Sequence, residues 1–115
     1  MIKNPKISIL MNCLNGDLYL KEAVKSVIKQ TYKNWELIFW NNKSTDKSLK
    51  IISQIKDKRI KIFNSLNFTN LGEARKNAFK NATGDYLAFL DVDDLWYEEK
   101  LEKQVEAFKD STVGI

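Results

Sequence analysis

Three carboxylates fall within four positions, at Asp91, Asp93 and Asp94, directly after the apolar run Tyr86-Leu87-Ala88-Phe89-Leu90. Acids crowded this closely repel one another unless a cation or hydrogen-bond donors offset their charge, so the cluster leans towards metal. Asp91 and Asp93 are two apart, and on an extended backbone both side chains leave on the same side, where they can share one hard cation. A competing reading makes Asp94 the cap of the following helix and the other two solvated loop acids. The chain has no histidine and a single cysteine, Cys13. That excludes His-based triads, His general bases and multi-thiolate zinc sites, and leaves oxygen ligation of Mg²⁺ or Mn²⁺. Only Arg59 and Arg75 carry a guanidinium, whose planar fork suits phosphate or carboxylate.

The elements that must position these groups follow from hydrophobic spacing. The apolar run before Asp91 reads as a strand buried on both faces of a covered parallel sheet, with its acids at the carboxyl end, where open α/β sheets hold ligands. Upstream, Lys6 to Met11 reads as a first strand and Asn12 to Gly16 as its loop, with Asp17 as the cap of a helix from Leu20 to about Gln30. Trp35 to Trp40 is a second strand ending in the polar loop Asn41 to Asp46, and Leu49, Ile52 and Ile55 mark the helix after it. Arg59 to Phe63 alternates, which places it at a sheet edge. Asn70 and Glu73 resemble a capping box before a helix with Leu71, Ala74, Ala78 and Ala82 on one stripe; Tyr97, Leu101, Val105 and Phe108 define a last helix. Right-handed crossovers then give an α/β fold with strand order 3-2-1-4, helices on both faces and a cleft at the carboxyl ends of strands one, two and four.

A chain of 115 residues is one domain's worth, with 43% hydrophobic and 30% charged residues, as expected of a soluble globular protein. No segment approaches the roughly 18 consecutive apolar residues that span a bilayer, and Met1 to Lys6 lacks the apolar region of a secretory signal. The formal charge of +4 comes from lysines scattered over helices and strand ends, which reads as a solvated face and gives no expectation of nucleic-acid binding. The lone cysteine fits a reducing, cytosolic compartment.

Four ordered segments resemble family 2 glycosyltransferases of the GT-A fold. In that family the first strand typically ends Pro-Thr-Tyr-Asn, the second in Asp-Asp-Gly-Ser-Thr-Asp, a later helix carries Ala-Arg-Asn, and the fourth strand follows Thr-Gly-x-Tyr and ends in Asp-x-Asp-Asp. Here those positions read Asn12-Cys13-Leu14-Asn15, Asn41 to Asp46, Ala74-Arg75-Lys76, and Thr83-Gly84-Asp85-Tyr86 through Asp91-Val92-Asp93-Asp94. Gln30 to Glu36 is also similar to a common stretch of the family.

The resemblance implies a Rossmann-like, three-layer α/β/α unit over residues 1–115 that binds a nucleoside-diphosphate sugar, UDP-linked, for inverting, metal-assisted transfer to a saccharide or lipid-linked acceptor in glycan or surface-polysaccharide synthesis. Asp91 and Asp93 become the metal motif, with Val92 between them at the donor site, and Arg75 stands near the diphosphate. Asn12, Cys13, Leu14 and Asn15 line the nucleotide, with Asn12 to Leu14 at the base mainly through backbone groups. Asn41 takes the place of an acid that accepts from the uracil ring N–H, and can accept through its amide oxygen. Lys76 stands where the family has Asn. The family's second half supplies the acceptor site and the inverting base, and neither is visible here, so the expectation is a fragment. Val113-Gly114-Ile115 reads as the start of an edge strand that pairs with another copy. The expected location is cytoplasmic, in solution or peripheral at the inner face of the membrane. A non-catalytic nucleotide-binding module of the same fold is the alternative. A receiver domain is disfavoured, because Asn12 and Asn64 stand where receivers need acids.

Overall fold

A computed structural model describes residues 4–67 and 69–110. Four strands, β1 (Ile7–Cys13), β2 (Trp35–Asn41), β3 (Ile60–Asn64) and β4 (Tyr86–Phe89), form one parallel sheet in the order β3-β2-β1-β4, as expected. Helices α1 (Leu20–Ile28), α2 (Ser48–Gln54), α3 (Leu71–Lys80) and α4 (Lys100–Asp110) connect and follow them. Alternation along the strands decides which helix meets which residues. Ile7, Ile9, Met11, Cys13, Leu37 and Phe39 pack with Leu20, Val24, Val27, Ile52, Leu101 and Val105, which puts α1, α2 and α4 on one face. Leu10 and Ile38 turn the other way and meet Ala78 and Ala82, which puts α3 on the opposite face. The small side chains of α3 let its axis come close to β1 and β2. Three layers result.

Several expectations need correction. β4, paired with β1 as the expected order requires, lacks the two-sided cover expected of it among the described residues: Leu87 is partly buried and Phe89 is 55% exposed. An apolar run is necessary for two-sided burial but cannot supply the covering element. Asp17 does not cap α1, whose N-cap is Tyr19 with no side-chain hydrogen bond. The Asp17 carboxylate instead accepts from the Lys47 N–H at 3.3 Å, at the start of α2. Asn12 and Asn41 belong to strands rather than loops, because the β1–β2 ladder runs on to the pair Cys13 and Asn41. α1 stops at Ile28, and Gln30 becomes a buried bracket: its Nε2 donates to the Tyr97 carbonyl at 2.6 Å and its Oε1 accepts from the Leu101 N–H at 3.0 Å. Asn70 does cap α3, accepting from the Glu73 N–H at 2.9 Å. Phe108's side chain and the strand start at 113–115 lie outside the described residues.

The amino ends of the strands are held by a buried charge. Glu36 is 2% exposed and accepts from the Ser8 hydroxyl at 2.6 Å, the Thr83 N–H at 2.6 Å and the Lys61 ammonium at 2.7 Å. Gly84 donates its N–H to Ser8 Oγ at 2.7 Å, and a Cβ at that position would stand 2.6 Å from the same oxygen. Four segments are thereby tied at the end opposite the acidic cluster.

Candidate functional site

The chain leaves β4 at Phe89 and turns, with the Asp94 N–H donating to the Asp91 carbonyl at 3.0 Å. That turn brings one carboxylate oxygen from each of Asp91, Asp93 and Asp94 within 4.8 Å of one another, all three side chains exposed. The gathering therefore does not come from extended backbone, and Asp94 joins the other two. Nor does Asp94 cap the next helix, which begins only at Lys100. No lysine or arginine among the described residues forms an ion pair with the three acids. Clustered carboxylates without a protein cation suit a hard divalent ion bound through oxygen.

Beside them opens a cavity of about 410 Å³ lined by Asn12, Asn15, Gly16, Asp17, Leu18, Tyr19, Asp91, Val92 and Asp93. The β1–α1 loop reaches the acidic turn because Gly16 has no Cβ; one placed there would lie 2.6 Å from Val92 Cγ2. This loop is also strapped to the β2–α2 loop. Asn15, in the left-handed region at φ 54°, accepts through Oδ1 from the Thr45 N–H at 2.7 Å and the Asp46 N–H at 3.2 Å. Ser48 Oγ accepts from the Gly16 N–H at 3.0 Å, and Asp46 Oδ2 accepts from the Asp17 N–H at 3.1 Å. Burial works upward on the Asp46 carboxyl, but the hydrogen bonds from Ser48 and Asp17 outweigh it and hold the group below the usual carboxylate range.

A second cavity of about 140 Å³ lies between the end of β1 and α3, lined by Asn12, Cys13, Leu14, Asn42, Thr69, Leu71 and Ala74. Cys13 is fully buried with Sγ 3.8 Å from Ser44 Oγ, whereas Leu14 is 46% exposed. Asn41 lines neither cavity. Its Nδ2 donates to Asn64 Oδ1 at 3.0 Å and its Oδ1 accepts from the Ser44 N–H at 3.1 Å, so both ends of the amide hold β2 to its neighbours. Asn42 is the residue on the cavity, and it pins Thr69 by donating to its carbonyl at 2.6 Å and accepting from its N–H at 3.0 Å. The expected strand end at Trp40 falls one residue before the observed one at Asn41.

Arg75 lies on α3 next to Ala74, exposed, with its guanidinium carbon 5.7 Å from the centroid of the Phe89 ring. Phe89 ends β4, so the stacking fixes Arg75 at the same end of the sheet as the acids. Lys76, Glu98 and Glu99 are exposed. Residues 8–115 match the family described as Glycosyl transferase family 2.

The chain belongs to glycosyltransferase family 2. This family 2 chain is 44% identical over 103 residues to an uncharacterized glycosyltransferase of Haemophilus influenzae, covering 88% of the chain and 41% of that relative. It is 37% identical over 99 residues to the Escherichia coli UDP-Glc:alpha-D-GlcNAc-diphosphoundecaprenol beta-1,3-glucosyltransferase WfgD, covering 86% and 39%. Among solved structures, Staphylococcus aureus TarS 1-349 in complex with UDP superposes with a TM-score of 0.83 at 29% identity, over 91% of the chain and 32% of that 1–349 chain. Mannosyltransferase PcManGT of Pyrobaculum calidifontis, in complex with GDP-Man and Mn²⁺, superposes at 0.85 and 20% identity over 96% and 34%, a likeness of fold alone. The expected GT-A fold is thus the observed one. The chain spans about two fifths of the length of these curated relatives. Among the described residues no helix is long and apolar enough to cross a membrane.

Proposed function

We propose that this chain is the donor-binding portion of a glycosyltransferase that takes a UDP-linked sugar, with Mg²⁺ or Mn²⁺ held by Asp91 and Asp93, for inverting transfer to a saccharide or lipid-linked acceptor in glycan synthesis. The observation that carries the reading is the meeting of three carboxylates within 4.8 Å, beside the 410 Å³ cavity at the carboxyl end of the sheet. UDP in TarS and the undecaprenol-linked substrate in the name of WfgD support it by similarity.

In the transfer, the bond between the anomeric carbon and the diphosphate oxygen breaks, a bond to the acceptor oxygen forms, and the acceptor's proton passes to a base. A bound divalent cation supplies charge neutralisation to the leaving diphosphate. The chain's own residues hold and orient. Asp91 and Asp93 present oxygens to the cation, and Asp94 adds a third carboxylate beside them. Arg75, braced on Phe89, offers a second positive group to the diphosphate. The general base and the acceptor site belong, in this reading, to sequence beyond the part shared with the relatives.

The test is calorimetric titration of UDP into the protein with Mn²⁺, without it, and with Mn²⁺ in Asp93→Ala. Tight binding is expected only in the first case. Equal binding in all three would sink the cation bridge, and no binding of any nucleoside diphosphate would sink the donor site.

A further inference from the structure

We propose that Gln30 and Thr31 are positioning residues for the acidic turn: they clamp the chain on its downstream side and so set the spacing of the Asp91, Asp93 and Asp94 carboxylates for a divalent cation. The inference rests on the cation-site reading above and adds to it two residues that line neither cavity.

The turn is a span between two fixed points. At its start the Leu90 N–H donates to the Leu10 carbonyl at 3.1 Å. Among the described residues no hydrogen bond then joins residues 91–96 to another element, since the Asp94 N–H donates within the turn. At the far end the chain is gripped again. Gln30 Nε2 donates to the Tyr97 carbonyl at 2.6 Å, the Thr31 N–H donates to the Glu98 carbonyl at 2.9 Å, and Gln30 Oε1 accepts from the Leu101 N–H at 3.0 Å. The Thr31 hydroxyl adds a bond to the Glu102 carboxylate at 2.8 Å.

Gln30 is fully buried. An apolar side chain of similar volume would fill the same space, whereas a buried amide is costly unless both of its ends are paired. What the amide adds is direction. Its Nε2 also donates to the Ser26 carbonyl at 3.1 Å, which ties the amide to α1. The Leu101 N–H belongs to the first turn of α4, where the backbone has no intrahelical acceptor, so Gln30 caps that helix from α1. Leu95 to Glu98 lie along α1, sharing a cavity of about 320 Å³ with Ser26 and Lys29. Tyr97 is three residues after Asp94, so a shift at the clamp reaches the acids along a short strap. Trp96 packs on the core between them, but apolar contact is non-directional and hydrogen bonds are not.

The test is titration of Mn²⁺, alone and with UDP, followed by loss of the free-ion EPR signal, in wild type, Gln30→Met, Asp93→Ala and Glu36→Gln. Gln30→Met keeps the volume and removes both bonds to the strap. It should weaken Mn²⁺ binding about tenfold in both conditions, the effect expected when a group that orients metal ligands is lost. Glu36→Gln loosens the amino ends of the strands and should leave Mn²⁺ affinity unchanged, so lost stability is not the cause. A second measurement needs no variant. Coupling is reciprocal, so a cation helped by the clamp must tighten it. Mg²⁺ with UDP should slow hydrogen exchange at the Thr31 and Leu101 N–H groups of wild type more than at the Gly84 N–H, which is bound to Ser8.

Unchanged Mn²⁺ affinity in Gln30→Met with a lowered thermal midpoint would overturn this inference and leave the donor site standing. Equal slowing at the three amides would do the same, and decides the matter if Gln30→Met does not fold. Wild type that binds Mn²⁺ but no UDP would overturn the donor reading alone. Equal Mn²⁺ binding by wild type and Asp93→Ala would overturn both.

Discussion

Gly16 and Val92 meet across the mouth of the acidic cavity, so closely that a Cβ on the glycine would lie 2.6 Å from Val92 Cγ2 and 2.9 Å from Val92 Cβ. Val92 sits between Asp91 and Asp93, so anything that displaces it moves both acids. Gly16→Ala is expected to destabilise by ~1–3 kcal/mol through overpacking, and to weaken Mn²⁺-dependent UDP binding about tenfold. The double variant Gly16→Ala with Val92→Gly should recover most of the affinity, since the colliding Cγ2 and Cβ are both gone. Calorimetry on the three proteins checks it. Failure of the double variant to recover would mean the glycine acts through something other than this contact.

Arg75 is braced by the Phe89 ring at 5.7 Å and forms no ion pair among the described residues. If it serves the diphosphate, Arg75→Ala should lower UDP affinity about tenfold and leave uridine affinity unchanged, because only UDP presents phosphate oxygens. Phe89→Ala should give a smaller loss in the same direction. Equal losses for UDP and uridine would place the arginine's effect at the base or in the fold.

Glu36 predicts an acid-dependent stability. Burial raises its pKa, but hydrogen bonds from Lys61, Ser8 and Thr83 win and bring it from 4.5 down to about 2. A folded pKa below the unfolded one contributes stability that is complete above pH 4.5 and is lost as pH falls towards 2. The shift corresponds to ~3 kcal/mol. Glu36→Gln should therefore lower stability at neutral pH by about that amount and flatten the urea midpoint between pH 5 and 2.5 relative to wild type. Parallel pH curves for the two proteins would refute the assignment.

Lys43 occupies the left-handed region at φ 61°, where the resembling family carries glycine. A side chain there crowds the backbone, and glycine does not. Lys43→Gly is expected to stabilise the protein by ~1 kcal/mol despite its freer unfolded state, read as a higher denaturant midpoint. A lower midpoint would show that the lysine side chain makes a contact worth more than the strain.

Much of the architecture was legible because it is local. Helical spacing at Leu20, Val24 and Val27, the alternation of β3, the Asn70 cap and the acids after an apolar run each follow from a short stretch of chain. Right-handed crossovers then restrict short β-α-β connections to few orders, and 3-2-1-4 is the one observed.

The roles of individual polar residues were not legible, since they depend on where a strand stops. β1 and β2 each run further than their apolar residues suggest, and in a strand one step reverses the face a side chain presents. The resemblance placed Asn41 at a base; its amide is found bridging Asn64 and Ser44, and Asn42 lines the smaller cavity.

By itself, then, the sequence determined the elements, their order and the chemistry available at the acidic turn: apolar periodicity, chirality and the absence of histidine are properties of the chain alone. Only the tertiary structure decided that Asp94 joins Asp91 and Asp93, that one face of β4 is left half bare, that Gly16 admits Val92, and that Asn12 lines both cavities. Each of these is a contact between segments tens of residues apart or a turn of backbone, and neither is encoded by local residue type.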